Sequence, residues 1–419
     1  MPDYYDDREC MPRKERDHRK TLRTLEMLRA GHQKSSRIRT IFDNLGLHYD
    51  DIKTLADFQL LPVISREKLI ELETMEPPFA GLNNNDQEID RIFISPGPVY
   101  EPHLSENDHL WARAYYAAGI GRGDVVLNAF SYHMVAAGLT FHAGLRRVGA
   151  TVVPSGTSSS QLQVQLMRDL PVTAYTGTPS FLMNIINKAE EMGYDFKRDF
   201  GVRRACFAAE PLSPSLRERF EKEYAIDTYQ MYGATEVGDV SFECSEKKGW
   251  HICEEVLVEI VDPATGRGVP PGMPGEVVVT RFNNIFFLFR FGTGDLSRII
   301  ESSCPCGRTS PRMEGIFGRV GDAVKVRGLF VAPSQLNRIK EKFSQVKFQL
   351  LISRTSHDDI LTVRLEPKES AIDTVSLAHK FSKFFRDEFV LTIDHLEFLN
   401  PGTIKEDDKL VIDERQWNK

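Results

Sequence analysis

Three short segments of the chain combine small residues with an acidic side chain. They are residues 208–211 (Ala-Ala-Glu-Pro), 232–236 (Tyr-Gly-Ala-Thr-Glu) and 290–295 (Arg-Phe-Gly-Thr-Gly-Asp). Small residues let the backbone approach a flat ring or a phosphate closely, and carboxylates can bind Mg²⁺ or accept hydrogen bonds from ribose hydroxyls. Each segment alone is also typical of an ordinary turn. They indicate a nucleotide site only if the fold brings them together.

Four further residues have the chemistry of metal ligands. Cys244 and His251 form a Cys-x6-His pair, and Cys304 and Cys306 form a Cys-x-Cys pair. Such nitrogen and sulfur donors suit a closed, tetrahedral Zn²⁺ site of the structural kind. On spacing alone Cys253 competes as the fourth ligand, and a cluster of reduced, buried thiols is the alternative to any metal site.

Strand and helix patterns alternate regularly between residues 124 and 230, where apolar strand segments are separated by helical periodicity. The predicted strands are 125–127, 151–153, 174–176, 205–207 and 228–230, and the predicted helices are 135–148, 162–170, one that begins after Pro179, and 213–224. This alternation predicts βαβ units and a mainly parallel sheet, whose ligands lie beyond the carboxyl ends of the strands. Segments 208–211 and 232–236 follow two of those strands.

The flanking regions have different patterns. Residues 250–300 contain short apolar stretches separated by turns, which predict antiparallel strands, and about a hundred residues after position 320 suit a small separate α+β domain. We therefore predict an α/β protein with a large domain, residues 1–318, that includes a β-rich, zinc-binding part at 240–316, and a mobile α+β domain at 319–419. The opening up to Lys34 is predicted to be an exposed helical arm.

Composition narrows the class of protein. Lys and Arg number 53 against 60 Asp and Glu, a formal charge of −7, which argues against nucleic acid or an anionic membrane as partner. No apolar run approaches the ~20 residues that cross a bilayer, and the acid-rich start is unlike a signal peptide. Six cysteines in a chain of this length fit reducing conditions. A cytoplasmic location is predicted.

The order and spacing of these motifs resemble the phenylacetate-CoA ligase family of adenylate-forming acyl-CoA synthetases, over nearly the whole chain. Further matching segments are 123–126, 149–154, 177–180, 242–244, 304–309, 325–328 and 333–335. The resemblance implies that ATP and a carboxylic acid, usually aryl or arylacetic in this family, form an acyl adenylate and pyrophosphate. CoA then displaces AMP to give a thioester. A homodimer is compatible with this assignment, but the oligomeric state stays open.

The resemblance also implies a role for each matching residue. Ala209, Glu210 and Pro211 would line the adenine, with Tyr232 and Gly233 beside it. Thr235 and Glu236 would meet the phosphates and Mg²⁺, Asp295 would bind the ribose hydroxyls, and Arg319 would reach the ribose side. Lys325, Arg327 and Gly328 would border the entrance used by CoA. Family members that carry the Phe-Glu-Cys, His and Cys-Pro-Cys elements look like zinc-binding proteins. The resemblance therefore implies structural zinc at Cys244, His251, Cys304 and Cys306.

The phosphate-binding loop departs from the family pattern. Where the family has Ser-Ser-Gly-Thr-Thr-Gly-Lys-Pro, residues 94–102 read Ile-Ser-Pro-Gly-Pro-Val-Tyr-Glu-Pro. Ser95 is retained as a nucleotide-binding candidate. Two prolines remove amide donors, and Glu101 stands about where a lysine would oppose phosphate charge. We predict weaker binding of the triphosphate than in family members with the usual loop.

A second departure lies near the carboxyl end, where the family's catalytic lysine motif is altered. Lys405 or Lys409 could replace that lysine, or both could be solvated surface residues beside the acids at 406–408. The altered phosphate loop supports an alternative function, a non-adenylating relative that binds AMP, an acyl adenylate or acyl-CoA.

The acyl group is expected near residues 132–142. Tyr132 and Gly138 would admit a flat ring, although the same small residues could equally form a close helix-to-sheet contact.

Overall fold

The computed structural model describes residues 4–86, 88–95, 98–103, 109–327, 329–355, 358–368, 373–405 and 408–415. The α-helices of these residues are α1 (Arg13–Lys34), α2 (Ser36–Leu45), α3 (Leu55–Phe58), α4 (Arg66–Met75), α5 (Ala112–Ala117), α6 (Ala136–Arg147), α7 (Ser160–Asp169), α8 (Pro179–Glu191), α9 (Phe196–Asp199), α10 (Pro214–Glu218), α11 (Pro333–Lys342) and α12 (Thr374–Phe389). Short 3₁₀ helices span Asp7–Cys10, Tyr49–Asp51 and Val320–Asp322, and a π-helical turn spans Arg219–Glu223.

The strands follow in chain order. They are β1 (Ile64–Ser65), β2 (Arg91–Ser95), β3 (Val99–His103), β4 (Val125–Asn128), β5 (Thr151–Val153), β6 (Ala174–Gly177), β7 (Arg204–Phe207), β8 (Asp227–Ala234), β9 (Gly238–Glu243), β10 (Trp250–Ile252), β11 (Val256–Val261), β12 (Gly275–Arg281), β13 (Phe291–Ser297), β14 (Ile299–Ile300), β15 (Arg312–Met313), β16 (Gly318–Arg319), β17 (Val324–Val326), β18 (Leu329–Val331), β19 (Val346–Thr355), β20 (Asp358–Pro367), β21 (His395–Phe398) and β22 (Val411–Asp413).

The predicted α/β class is confirmed. The largest sheet among the described residues has nine strands in the order β14-β15-β10-β9-β8-β7-β6-β4-β5. Its members from β5 to β8 are parallel neighbours, and β9, β10, β15 and β14 continue it with antiparallel pairing. The β-rich part predicted from the sequence therefore contributes several strands to the same sheet as the βαβ units.

Local signals explain where the crossover helices begin. The side chain of Thr178 accepts a hydrogen bond from the Phe181 amide, with Pro179 at the first helical position of α8, and Ser159 caps α7 in the same way. One face of each helix then packs on the sheet, so that Val164, Leu182 and Phe207 share one apolar core. This core fixes the ends of the strands from which the site loops emerge.

A second sheet has the order β1-β13-β12-β11, with β16 paired to β13. Strand β1 runs parallel to β13, with Ile64 opposite Phe291. On the other side of β13, Asp295 lies opposite Arg319 of β16 in antiparallel register.

The chain divides into two compact units. The first comprises Met1–Glu259, Val278–Thr293 and Ile299–Gly315, and the second comprises Ile260–Val277, Gly294–Arg298 and Ile316–Lys419. The second unit contains a sheet of order β21-β20-β19-β22 and the hairpin β17-β18, whose apolar faces pack with α11 and α12. The division at residue 319 stays a prediction.

The opening helix is not the exposed arm that its charge predicts. Helix α1 buries Arg16 and Lys20. Arg16 Nε donates to Glu254 Oε1 at 2.9 Å, and Lys20 Nζ donates to the Val256 carbonyl at 2.9 Å. Buried partners therefore pair these charges, whereas Leu22 on the same helix is exposed. Within the described segments, no helix is both long and apolar enough to cross a membrane.

Candidate active site

A cavity of about 200 Å³ opens in the first unit where several post-strand loops meet. Ala208 and Ala209 come from the loop after β7, and residues 233–238 span the end of β8, the following turn and the start of β9. Other walls are the start of α6, the hairpin β2-β3, and residues near the end of β12. Two of the three segments singled out in the sequence thus meet at one cavity, as the parallel topology predicts.

Backbone geometry explains the small residues in these loops. Ala209 has a φ of +69°, in the left-handed region. A Cβ on Gly233 would lie 2.2 Å from the Gly238 carbonyl oxygen and 2.7 Å from the Trp111 ring. The chain therefore needs glycine at position 233 because two walls of the cavity approach each other there.

Three stacked aromatic rings form one wall of the cavity. The Phe141 ring lies between Trp111 and Phe130, with both pairs of ring centroids 4.3 Å apart and interplanar angles of 25° and 11°. The Trp111 indole also donates to Thr140 Oγ1 at 3.3 Å, which holds its orientation. Such a wall suits a flat, apolar group. Trp111 lies outside every motif noted in the sequence, so only the fold shows its role.

Glu236 is held at the cavity by an arginine that the sequence did not single out. The Arg66 Nη2 atom lies 2.7 Å from Glu236 Oε1 and 2.9 Å from Oε2, and the Glu236 side chain is fully buried. Thr235 Oγ1 donates to Glu236 Oε2 at 3.2 Å. Arg66 begins α4, some 170 positions away from Glu236 in sequence. The pair orients a buried carboxylate beside the cavity.

Two more carboxyl groups are buried in the same region. The Glu101 side chain, on β3, lines the cavity and is only 5% exposed as a residue. Burial is the main cause that raises the pKa of Glu101 to about 7; the Ser95 hydroxyl opposes this shift and the charge of Glu236 adds to it. Burial likewise raises the pKa of Glu73 to about 7, although its Oε2 accepts from the Tyr100 amide at 2.9 Å. Glu101 occupies a wall where the family pattern would predict a cation.

The remaining nucleotide candidates of the first unit lie near these loops. The Glu210 carboxylate accepts from the Ser180 amide at 3.3 Å and from its hydroxyl at 2.9 Å, at the start of α8. Pro211 is exposed beside it. The Tyr232 ring stacks on Trp250 with centroids 5.9 Å apart. Ser95 is buried at the end of β2. The tip of the altered phosphate loop, residues 96–97, lies outside the described residues.

The predicted ribose pair is brought together within the second unit. Arg319 Nε lies 3.1 Å from Asp295 Oδ1, with 62% of the arginine side chain and 15% of the aspartate side chain exposed. The two residues face each other across β13 and β16. The sequence separates them by 24 positions, and strand pairing supplies the contact.

The lysine and CoA candidates also belong to the second unit. Lys405 and Lys409 are both exposed, and the Lys409 carbonyl accepts from Gln349. Arg327 is tied to its own domain, with Nε donating to the Asp359 carbonyl at 2.9 Å and an ion pair to Asp394. Lys325 lies on β17. Gly328 falls outside the described residues.

Tyr132, in the segment before α6, and Gly138, in the first turn of α6, lie next to the cavity wall. The Tyr132 hydroxyl accepts from Asn128 Nδ2 at 2.8 Å and lies 3.1 Å from His142 Nδ1. A Cβ on Gly138 would lie 2.3 Å from the Ser131 carbonyl oxygen. This geometry favours the alternative of a close backbone contact for Gly138, whereas Ala136, Ala137 and Phe141 line the cavity itself.

The four candidate metal ligands converge. Ligand atoms of Cys244, His251, Cys304 and Cys306 all lie within 4.8 Å of one another. The Cys244 and Cys304 sulfurs are 3.7 Å apart, and Cys306 Sγ is 3.3 Å from His251 Nε2. Ser310 Oγ lies 3.2 Å from His251 Nδ1, a contact that orients the ring. Three thiols and an imidazole form one of the donor sets of tetrahedral structural Zn²⁺ sites.

The competing ligand Cys253 lies outside this group. Its thiol lies 3.6 Å from Asp239 Oδ2. Strand β10 ends at Ile252, so the alternation that would place Cys253 on the same face as His251 stops one residue earlier.

Comparison with known proteins agrees with these features. Residues 104–285 match the family model described as AMP-binding enzyme. The chain is 31% identical over 368 residues to the phenylacetate-coenzyme A ligase of Escherichia coli K12, covering 84% of this chain and 82% of that protein. A relative of the same name from Aromatoleum evansii is 30% identical over 354 residues, covering 81% and 79%.

The chain belongs to the phenylacetate-CoA ligase family. Members of this family are AMP-forming acid–CoA ligases, so the chain is an enzyme of that class. Its fold is also that of a solved 2-hydroxyisobutyryl-CoA ligase in complex with 2-HIB-AMP and CoA. The TM-score is 0.82 at 26% identity, and the match covers 97% of this chain and 93% of that one.

Proposed function

We propose that this ligase activates an aryl or arylacetic acid as an acyl adenylate and transfers the acyl group to CoA. The observation that carries the proposal is the cavity with its wall of three stacked aromatic rings, which adjoins Thr235 and Glu236. A flat apolar group against that wall would place its carboxylate toward these two residues. The names of the relatives support the same substrate class.

The first half-reaction forms a bond between a carboxylate oxygen and the α-phosphorus of ATP and breaks the bond from that phosphorus to pyrophosphate. Negative charge increases on the phosphoryl oxygens and must be met by donors and cations. Thr235 offers a hydroxyl there, and Arg66 holds Glu236 in one orientation. Mg²⁺, when bound, would offset phosphate charge, and Glu236 would be the carboxylate that holds it.

The second half-reaction forms a bond between the sulfur of CoA and the acyl carbon, and AMP leaves with the bonding electrons. Asp295 would accept hydrogen bonds from the ribose hydroxyls in both steps, with Arg319 orienting its carboxylate. Adenine would lie along residues 209–211, 232 and 233. Lys405 and Lys409 stay candidates for the lysine that assists adenylation, and Lys325 to Gly328 for the CoA entrance.

We also propose that Cys244, His251, Cys304 and Cys306 bind a structural Zn²⁺. The four donors complete a tetrahedral set, which leaves no coordination position for a substrate. The zinc would join β9, β10 and the turn before β15 rather than take part in the reaction. A cytoplasmic location, where reducing conditions keep such thiols available, fits this proposal.

The test of the proposed function is carboxylate-dependent exchange of labelled pyrophosphate into ATP over a panel of aromatic and aliphatic acids. We expect exchange with at least one aryl or arylacetic acid, and thioester formation when CoA is added. Benzoate and phenylacetate should be compared with hexanoate and acetate at equal concentration. Folded protein that exchanges with none of these acids, yet binds AMP or acyl-CoA more tightly than Mg-ATP, would instead support the non-adenylating alternative.

A further inference from the structure

The hairpin β2-β3 contributes an acidic residue, Glu101, to the cavity wall. Alternate residues Val99, Glu101 and His103 of β3 are buried, and Glu101 lies opposite Phe93 of β2. Glu101 and Phe93 both line the cavity. One face of this hairpin therefore forms part of the wall that a substrate would contact.

Glu101 is a buried acid that lies near the Ser95 and Thr235 hydroxyls, which lower its pKa. Among the described residues, neither carboxyl oxygen of Glu101 has a partner in hydrogen-bonding geometry, and the same holds for the buried Ser95 hydroxyl nearby. Leaving a buried acceptor unsatisfied is unfavourable, and more so when the acceptor is charged. A ligand group that donates to Glu101 would recover this free energy.

Other polar groups on the cavity wall already have partners within the protein. Arg281 Nη1 donates to the Val237 carbonyl at 3.0 Å and to Asp239 at 3.1 Å. The Asn283 side-chain oxygen accepts from the amides of residues 285 and 286. Glu236 is paired with Arg66. Glu101 thus differs from these lining residues in having two buried carboxyl oxygens without a hydrogen-bond partner among the described residues.

The charges around Glu101 allow its carboxylate to accept a hydrogen bond from a ligand. Its pKa of about 7 means that the carboxylate is available near neutral pH, and the positive charge of Arg66 favours that form while Glu236 opposes it. A carboxylate accepts only, so its natural partner is an O–H or N–H group of the ligand. The apolar and aromatic remainder of the wall would hold the rest of the molecule.

We propose that Glu101 is a specificity-determining residue that selects a carboxylic acid bearing a hydroxyl or amino group, which donates a hydrogen bond to its carboxylate. The inference rests on the proposed function and narrows its substrate class. A site built to bind a hydroxyl or amino group can reject an analogue that lacks it by several orders of magnitude. We expect at least a tenfold preference.

The test compares matched acids that differ by one donor. Phenylacetate is measured against 2-hydroxy-2-phenylacetate, 4-hydroxyphenylacetate and 4-aminophenylacetate, using kcat/KM for pyrophosphate exchange and calorimetric binding of each free acid. For wild-type protein, we expect one donor-bearing acid to exceed phenylacetate at least tenfold in both measurements. The acid that does so tells where the donor lies and whether it is a hydroxyl or an amine.

Two variants then test the residue. Glu101→Met keeps the length of the side chain without an acceptor and should reduce the preference to within about threefold, mainly through loss on the donor-bearing acid. Glu101→Asp shortens the side chain by one methylene and should reduce the preference for the donor-bearing acid in part. This variant provides the test if Glu101→Met does not fold. Glu73→Gln is the matched control because it neutralises a neighbouring buried acid whose Oε2 accepts from the Tyr100 amide.

Two results would overturn the inference: equal binding of all four acids to wild-type protein, or a preference that survives both Glu101 variants. The binding measurement separates this failure from failure of the proposed function. Absence of exchange with every acid, together with Glu101-dependent binding of a donor-bearing acid, would remove the ligase activity and keep the role of Glu101.

Discussion

At the scale of single residues, Glu101 shows how burial changes the behaviour of one carboxyl group. Its pKa rises from 4.5 in solution to about 7 in the folded chain, so the native state holds this proton more tightly than the unfolded state does. A group shifted in this direction makes stability fall as pH rises between those two values. At 1.4 kcal/mol per pH unit, the full loss is on the order of 3 kcal/mol.

Glu101→Gln removes this ionisation and should therefore make the protein relatively more stable at high pH. We expect the free energy of unfolding of the variant, minus that of the wild type, to increase by about 2–3 kcal/mol from pH 4.5 to pH 8. Urea denaturation at several pH values measures it. Glu71→Gln, at an exposed position, is the control and should show no such trend. If the difference in the free energy of unfolding between Glu101→Gln and the wild type does not change with pH, Glu101 is not a buried, unpaired acid.

At the scale of elements, helix α1 shows how tertiary partners override a charge pattern. A helix rich in Arg and Lys is usually solvated, but two of its cations are buried because Glu254 and the Val256 carbonyl meet them. The helix itself was predictable from spacing. Its burial was not, since the partners lie more than 200 residues away.

The proposed zinc centre joins elements that are distant in sequence, so its loss should destabilise the fold. Cys306→Ser is expected to lower zinc content from about one ion per chain and to lower the melting temperature by several degrees, because metal binding is coupled to folding. Cys253→Ser is the matched control, since that thiol lies by Asp239 outside the four-residue group. Elemental analysis and thermal melting measure both variants. Equal zinc content in the two variants would reject the assignment of Cys306.

At the scale of the whole molecule, the proposed roles divide between the two half-reactions. Glu236→Gln should reduce acid-dependent pyrophosphate exchange by about 10²-fold or more, because Glu236 would meet the phosphates and Mg²⁺ in the first step, from which pyrophosphate then leaves. Thioester formation from supplied acyl adenylate should change far less. Asp295→Ala is the contrasting variant, since the ribose is present in both steps and both rates should fall.

Separate assays of the two half-reactions distinguish these variants. Pyrophosphate exchange reports the first step, and release of AMP from added acyl adenylate and CoA reports the second. If Glu236→Gln loses the same fraction of activity in both assays, this residue stabilises the fold or binds the whole nucleotide rather than the phosphates alone.

Much of the fold and part of the site could be read from the sequence itself. Hydrophobic alternation and helix-start residues are local, so the strands β4 to β8 and their crossover helices lie within a few residues of the predicted positions. The same regularity placed residues 208–209 and 233–236 at strand ends, and they do line one cavity. Membership of the phenylacetate-CoA ligase family likewise follows from motif order.

Tertiary structure alone decided which distant residues complete the site. Arg66 reaches Glu236 from another element, Trp111 stacks on Phe141, and Cys253 is separated from the thiol and imidazole cluster. No local pattern marks these contacts, because they depend on how helices and strands pack rather than on spacing along the chain. The unpartnered carboxyl group of Glu101 has the same origin. Its residue type is visible in the sequence, but its burial without a partner results from the packing of the hairpin against the cavity.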